Sequence, residues 1–368
     1  MIASSPTTTP AVTLGRSTPR SWLHGMVLVV AALCAALVFL EAAIRAYSTF
    51  WYPKMMVLDP VLGWRHAPDK SRVFITEFGE QALVVANQYG HRGRTYPLQK
   101  ASGRFRILVI GDSFTEGSQV SEEELFTARL EAANPGVEVL NAGVGGYSTV
   151  QEYLYLSREG LQFNPDLILL MTVYNDLWEN CQSFYPNFGP RPYGELANGQ
   201  LRIIEQPSPD DFLRYTVPVP FALTLSRHSY LFYFVNEKIY HRLFAGRMMA
   251  MARADADRTE ACGRHDVYYQ VVEKMRQLAA GSQSAFAVAL VPSREDAAGG
   301  IAPSLTPIAE HCRKVALPCL SLVERLHHDN DRQPYFPIDI HWTREGHRIV
   351  AEELDRFLNT SGLMRGTT

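Results

Sequence analysis

The chain has 368 residues, a formal net charge of −3 and 46% hydrophobic residues. This length allows one large domain or two small ones and is ample for a buried core. The near-neutral charge argues against a nucleic-acid-binding protein, which usually presents a basic face. The sequence contains no long block of like charge, so we expect no acidic or basic tail.

The N-terminal region changes composition abruptly. Residues 1–22 are rich in Ser, Thr and Pro and predict a disordered tail, whereas residues 23–44 are almost continuously apolar, with Glu41 as their first charge. About 20 apolar residues span a bilayer, and the apolar core of a signal peptide has only about 7–15. The segment therefore predicts one uncleaved transmembrane anchor. A cleavage site around Ala42 and a buried core helix are the alternatives.

The charges around this anchor leave its orientation nearly undecided. Arg16 and Arg20 precede it and Arg45 and Lys54 follow it, so the positive-inside rule almost ties. A short tail and a large C-terminal domain favour a domain on the periplasmic or extracellular side of the membrane.

Four cysteines after the anchor bear on the same question. Two disulfides would fit an oxidising compartment, and Cys312 and Cys319 are close enough in sequence to form one of them. Buried reduced thiols are an equally good interpretation. The four residues are Cys181, Cys262, Cys312 and Cys319.

The remaining chain divides into three predicted parts. Residues 45–103 hold several prolines and short edge-strand patterns and predict a lead-in segment. Residues 104–360 alternate strand-like and helix-like patterns, which predicts a doubly wound parallel sheet. Residues 181–265 interrupt this rhythm with prolines and an aromatic-rich helical stretch, and predict an insertion or cap. The strand patterns are 105–110, 137–140, 166–173 and 285–291.

Polar, Gly-rich or Asn-containing turns follow three of these strands. They are Gly111–Gly117, Asn141–Ser148 and Tyr174–Asp176. The ligand crevice of an open parallel sheet lies at the carboxyl ends of its strands. We therefore expect the three turns to meet at one edge of the sheet.

Ser113 is the candidate nucleophile, since it stands between a strand and a helix in the run Gly111-Asp112-Ser113-Phe114. A serine hydroxyl needs a base to take its proton. Taken alone, such a turn is an ordinary helix cap. Acyl transfer also needs donors for the developing oxyanion, and the N–H groups of Ser113 and Gly146 with the Asn175 amide are candidates. Asn175 could instead simply form an Asx turn.

His341 is the best candidate base among the 11 histidines. It lies just before the predicted last helix, and Asp339, two residues earlier, can orient its imidazole as in a Ser-His-Asp triad. His347 inside the helix is a weaker rival. His327 and His328 indicate a solvated turn, and no HExxH or paired CxxC motif predicts a metal site.

These blocks together resemble the SGNH (GDSL-type) hydrolase family over roughly residues 104–358. The Asp59–Gly93 stretch is similar to the lead-in of its membrane-anchored bacterial members. The resemblance implies a flavodoxin-like three-layer α/β/α sandwich with a mainly parallel sheet. It also implies a Ser113, His341 and Asp339 triad, with Ser113, Gly146 and Asn175 as oxyanion donors.

Two positions depart from the family pattern. Val173 stands where the third block usually has glycine, which puts the local turn in doubt. Asp339 is two residues from His341 rather than three, a spacing that, with Trp342, resembles the family's polysaccharide O-acetyltransferase branch.

The leading hypothesis is a membrane-anchored esterase acting on O-acyl groups, among them acetyl groups on glycans. It needs no cofactor, no metal and no nucleic acid. The alternatives are an O-acetyltransferase acting on an envelope or exported polysaccharide, and a catalytically silent glycan-binding or assembly protein.

Overall fold

The computed structural model describes residues 19–50, 53–186, 188–205, 209–251, 253, 262–327 and 333–364. Most of the predicted tail, residues 1–22, lies outside this part of the chain. Helix α1 (Pro19–Phe50) covers the predicted anchor. Its stretch Trp22–Thr49 is long and apolar enough to cross a membrane, and none of its most apolar window is buried in the protein. A signal sequence near an N-terminus meets the same criteria.

Two antiparallel hairpins form the lead-in segment: β1 (Met56–Asp59) with β2 (Gly63–His66), and β3 (Lys70–Ile75) with β4 (Gln81–Ala86). Asp59 shapes the first turn because its Oδ1 accepts hydrogen bonds from the N–H groups of Val61 and Leu62 at 2.9 and 3.0 Å. Gly63 then has a φ of +81°, and a Cβ there would lie 2.6 Å from the Pro190 carbonyl oxygen. Only glycine suits both demands.

From residue 104 the described chain alternates strands and helices around a middle region of smaller elements. The first part contains β5 (Phe105–Ile110), α2 (Ser113–Glu116), α3 (Phe126–Ala133), β6 (Val137–Asn141), α4 (Thr149–Arg158), β7 (Leu167–Val173) and α5 (Asp176–Glu179). The middle contains β8 (Phe184–Tyr185), β9 (Gly189–Pro190), β10 (Tyr193–Ala197), β11 (Gln200–Ile204), α6 (Pro209–Tyr215), α7 (Ala222–His228), α8 (Tyr230–Phe234), a π-helix (Val235–Tyr240) and α9 (His241–Leu243). The last part contains α10 (Arg264–Gly281), β12 (Ala285–Val291), α11 (Arg294–Gly299), α12 (Thr306–Lys314), β13 (Cys319–Ser321), α13 (Val323–Leu326) and α14 (Arg344–Thr360). The described chain also has two 3-10 turns, Glu122–Glu124 and Gly160–Phe163, and a helical run over residues 245–251.

Five strands build the central sheet in the order β13-β12-β7-β5-β6, and every neighbouring pair is parallel. Counted along the chain, this is the 2-1-3-4-5 order of flavodoxin-like sheets. The predicted fold class is confirmed. The order reverses between β5 and β7, so the switch point, where ligands bind in such sheets, lies between these two strands.

Helices cover both faces of the sheet because its strands are apolar on both sides. Along β5, Ile107 and Val109 join one core cluster, and Leu108 and Ile110 join the other. Helices α3, α13 and α14 pack on the first face, and α4, α10 and α12 on the second. Three layers result, and the strand ends stay open for the turns that follow them.

The disulfide joins Cys181 to Cys262, at the two ends of the predicted insertion. The suggested Cys312–Cys319 bond is wrong, because both are free thiols even though they are close enough to form a hydrogen bond. Closeness in sequence favoured this pair, whereas the fold brings the end of α5 next to the start of α10.

The predicted domain boundaries stay a prediction. The aromatic-rich helical stretch expected within residues 181–265 divides into α8, the π-helix, α9 and a further helical run over residues 245–251.

Candidate active site

Ser113 is the first residue of α2, which begins after a two-residue turn at the end of β5. Gly111 allows this tight strand-to-helix turn, since a Cβ there would lie 2.1 Å from Thr115 Oγ1. Asp112 caps α2 by accepting a hydrogen bond from the Phe114 N–H at 2.9 Å. The turn therefore holds the Ser113 hydroxyl at the carboxyl edge of the sheet.

His341 lies beside that hydroxyl, with its Nε2 2.7 Å from Ser113 Oγ. Its Nδ1 is 2.7 Å from Asp339 Oδ1 and 3.1 Å from the Asp339 carbonyl oxygen. Because both of these oxygens accept, the proton of a neutral imidazole belongs on Nδ1. Nε2 is then free to accept the Ser113 proton, as a general base must.

The loop that carries Asp339 is held from several sides. Gln119 Nε2 donates to Asp339 Oδ1 at 2.9 Å, and Glu77 from the lead-in accepts the Asp339 N–H at 2.8 Å. Ile340 has a φ of +67°, a left-handed conformation that a β-branched residue rarely adopts. These contacts keep a strained turn in place, and the turn brings Asp339 and His341 together.

The charges of the pair stabilise one another. Burial lowers the pKa of His341, but its hydrogen bond to Asp339 and that carboxylate's charge outweigh burial, so the pKa is raised. Burial likewise opposes the charged form of Asp339, and the His341 contact nevertheless lowers the pKa of that carboxyl. Asp112 differs, because burial raises its pKa to about 7.

The second turn places Gly146 in a left-handed conformation, with a φ of +75°. Three neighbouring groups hold the backbone around it: Glu116 Oε2 accepts the Gly145 N–H at 2.7 Å, Trp64 Nε1 donates to the Gly145 carbonyl at 2.9 Å, and Arg191 Nη1 donates to the Gly146 carbonyl at 3.1 Å. No described residue accepts a hydrogen bond from the N–H of Ser113 or Gly146. Both donors are thus available to a ligand.

Asn175 follows β7, and its Nδ2 donates to Glu179 Oε1 at 2.6 Å. Val173, where the family has glycine, ends β7 without a positive φ, so the turn needs no glycine at this position. The Val173 N–H donates to Asp176 Oδ2 at 2.7 Å.

The rival histidines lie elsewhere. His347 is buried against Phe126, whose N–H it accepts at Nδ1, and burial lowers the pKa of His347 to about 3. His327 Nδ1 contacts the Ala297 carbonyl oxygen at 2.9 Å, and His328 lies outside the described residues. Within the described ranges, no group of three or more His, Cys, Asp or Glu side chains could hold a metal ion.

Residues 109–206 match the sequence model of the GDSL-like Lipase/Acylhydrolase family. This range includes Ser113, Gly146 and Asn175. The chain contains a GDSL-like lipase/acylhydrolase domain. It is a hydrolase domain of a type that acts on ester bonds. No curated protein matches the chain.

Solved structures similar to this chain include several esterases. A two-domain esterase active on acetylated mannans has 13% identity and a TM-score of 0.39, and the match covers 70% of this chain and 49% of that one. A lipolytic G-D-S-L family protein from Veillonella parvula DSM 2008 has 14% identity, coverage of 68% and 95%, and a TM-score of 0.38. An acetylxylan esterase from Geobacillus stearothermophilus has 12% identity, coverage of 71% and 96%, and a TM-score of 0.37.

Four residues around the turns that carry Ser113, Gly146 and Asn175 were not singled out from the sequence. They are Trp64, Glu116, Glu179 and Arg191. Trp64 and Glu116 lie in quoted motifs, but only the fold shows that both contact Gly145. Arg191 lies in the proline-rich middle region, where no pattern distinguishes it from a solvated arginine.

Proposed function

We propose that this protein is a membrane-anchored serine esterase that hydrolyses short O-acyl esters through Ser113, His341 and Asp339. The observation that carries the proposal is the unbroken path from Ser113 Oγ through His341 to Asp339, with 2.7 Å at each step. The family of the domain and the free backbone donors beside Ser113 support it.

The chemistry follows from this geometry. Ser113 Oγ attacks the ester carbonyl carbon while His341 Nε2 takes the hydroxyl proton. The carbonyl electron pair moves onto oxygen, where the N–H groups of Ser113 and Gly146 and the Asn175 amide stabilise the charge. The C–O bond to the alcohol then breaks, and His341 gives its proton to the departing oxygen. Water attacks the acyl-enzyme by the same route and releases the acid and the free Ser113 hydroxyl.

The space beside Ser113 favours a small acyl group. A Cβ on Gly145 would lie 3.9 Å from both Ser113 Cβ and Phe188 Cζ, so the aromatic ring and the serine flank the same glycine. Phe188 also packs over Gly146, where a Cβ would approach its ring to 3.0 Å. An acetyl group fits this proximity better than a long chain, and acetylated glycans are the proposed substrates.

Contacts between α1 and the domain support an anchor that stays attached. Glu41 on α1 accepts the N–H groups of Tyr230 and Leu231 at 3.0 and 2.9 Å, at the start of α8. Arg45 donates to the His228 carbonyl at 2.9 Å. The Cys181–Cys262 disulfide fits an oxidising compartment, so we place the domain on the periplasmic or extracellular side.

A substrate panel tests the function. The full chain in detergent or nanodiscs is assayed on p-nitrophenyl esters of increasing chain length and on acetylated glycans, together with Ser113→Ala and the matched control Ser157→Ala on α4. We expect hydrolysis of the acetyl esters to require Ser113 and to persist in the control. Equal activity in Ser113→Ala and wild type would overturn the proposal.

An O-acetyltransferase is the second candidate, favoured by the Asp339-x-His341-Trp342 spacing. The same acyl-enzyme would then pass its acyl group to a sugar hydroxyl rather than to water. Adding a glycan acceptor to the acetyl-ester assay separates the two, because a transferase forms acetylated glycan at the expense of acetate.

A further inference from the structure

Arg191 is a fully buried charge next to the second turn, with 0% of its side chain exposed. One Nη1 atom donates both to the Gly146 carbonyl and to Glu179 Oε2, each at 3.1 Å. Its other side is held by Gln182, whose carbonyl and Oε1 accept from Nε and Nη2 at 3.1 and 2.7 Å. A planar guanidinium fixed on two sides is a rigid support for what it touches.

Glu179 extends this contact to the third turn. Its Oε2 faces Arg191, and its Oε1 accepts from Asn175 Nδ2 at 2.6 Å. A carboxylate only accepts hydrogen bonds, so the atom of Asn175 that faces it must be the nitrogen. One N–H of that amide is thereby used, and the second remains for a ligand.

We propose that Arg191, through its ion pair with Glu179, is the positioning residue that holds the Gly146 and Asn175 oxyanion donors in one fixed arrangement, an inference that rests on the esterase function proposed above. Glycine has broad backbone freedom, so the direction of the Gly146 N–H depends on what its neighbouring peptides bind. Arg191 restrains the Gly146 carbonyl and, through Glu179, the Asn175 amide. We therefore expect replacement of Arg191 to displace both donors, although Trp64 still holds the Gly145 carbonyl.

The test removes the ion pair without leaving an unpaired buried charge, which would itself destabilise the protein. The double variant Glu179→Gln/Arg191→Met does this, and Gln at 179 can still accept from Asn175. Arg191→Lys is the second variant. It keeps the charge beside Glu179, but one ammonium on a flexible stem cannot reproduce the planar double contact.

Arg106 and Glu138 supply the matched control. Arg106 is also 0% exposed and paired with a glutamate, Glu138, at 2.7 Å. It lies near the start of β5, at the sheet edge opposite the site. The control variant Glu138→Gln/Arg106→Met therefore removes a similarly buried pair without touching the donors.

Kinetics with p-nitrophenyl acetate and inhibition by an aryl trifluoromethyl ketone, which forms a tetrahedral oxyanion on the serine, give the readout. We expect kcat to fall roughly 10- to 100-fold in both Arg191 variants, because small misplacements of catalytic groups have effects of that size. KM should stay within about twofold, and the inhibition constant of the ketone should rise by the factor by which kcat/KM falls. The fall of kcat/KM at low pH, which follows the protonation of His341, should occur at the same pH as in wild type.

Two results would overturn the inference. One is a loss of kcat no larger than in the Arg106 control, and the other is a fall in kcat with unchanged ketone inhibition. Ser113→Ala distinguishes this failure from failure of the function: if Ser113 is required but the Arg191 variants match the control, the esterase stands and only the positioning role is lost.

Discussion

The indole Nε1 of Trp64 donates a hydrogen bond to the Gly145 carbonyl oxygen at 2.9 Å. A trans peptide directs its C=O and N–H in opposite directions, so holding the Gly145 carbonyl also sets the direction of the Gly146 N–H. Trp64 is 1% exposed and belongs to β2. The lead-in segment is therefore part of the framework around the candidate active site.

Trp64→Phe should slow catalysis more than it weakens binding. The change removes the N–H but keeps an aromatic ring against Phe188, whose ring centroid lies 5.0 Å away. We expect kcat on p-nitrophenyl acetate to fall roughly 10-fold, below the 100-fold or more found when an oxyanion donor is deleted outright. KM should change little, which steady-state kinetics will show.

Tyr147→Phe is the control for this prediction. It removes another buried hydrogen bond between the same segments, from Tyr147 Oη to the Trp64 carbonyl oxygen at 2.7 Å. This bond does not touch Gly145, so the variant should lose thermal stability with little change in kcat. If both variants slow the reaction equally, the Trp64 contact is structural only.

The sequence was sufficient for much of this fold because its strands are continuous apolar runs. The pattern at 105–110 became β5, and those at 137–140 and 166–173 became β6 and β7 within one residue at each end. Once parallel strands are assigned, their carboxyl ends share one edge. The expectation that the turns carrying Ser113, Gly146 and Asn175 lie together follows from that rule and not from any local signal.

What the sequence could not show are contacts between distant segments. Arg191 and Gly146 lie 45 positions apart, and Trp64 and Gly145 lie 81 apart. No periodicity records such a pairing, since a buried arginine differs from a surface one only in what the fold places around it. The Cys181–Cys262 disulfide, whose partners lie 81 positions apart, was missed for the same reason.

Asp339→Asn should change both the height and the position of the pH profile. Only neutral His341 can take the Ser113 proton, so kcat/KM falls as the pH drops through the His341 pKa. The Asp339 carboxylate contributes to raising that pKa, and its removal should move the acid limb to lower pH. The plateau should drop roughly 100- to 10,000-fold, the range of general-base contributions.

His347→Gln checks that the acid limb belongs to His341. The pKa of His347 is lowered to about 3 by burial, so this residue stays neutral across the working pH range. The acid limb should be unchanged in this variant. Thermal unfolding is measured in parallel because the ring stacks on Phe126. A shifted limb in His347→Gln would contradict the assignment.

The double variant Cys181→Ala/Cys262→Ala should be less stable while keeping the catalytic groups. A disulfide across 81 residues restricts the unfolded chain, and its loss typically costs about 2–4 kcal/mol. Denaturant unfolding of wild type with and without reductant, compared with the double variant, measures this. Reductant should affect only wild type. Unfolding curves that coincide for all samples would show that the bond contributes nothing.

Asp112→Asn should stabilise the protein at alkaline pH and much less near pH 4. Burial raises the pKa of Asp112 from 3.8 to about 7, so between these values the unfolded chain releases a proton that the folded chain retains. Wild-type stability therefore falls as the pH rises through this window and stays low above it. The substituted amide can still accept the Phe114 N–H, and it carries no proton to lose.

The gain from this substitution at pH 8 should be a few kcal/mol larger than at pH 4, since one pKa unit corresponds to about 1.4 kcal/mol. Urea unfolding at the two pH values, in a Ser113→Ala background for both proteins, measures the difference without turnover. An equal effect at both pH values would mean that Asp112 is already ionised in the folded protein. In that case Ser113 and His341 would lie beside a negatively charged Asp112 and not beside a neutral one.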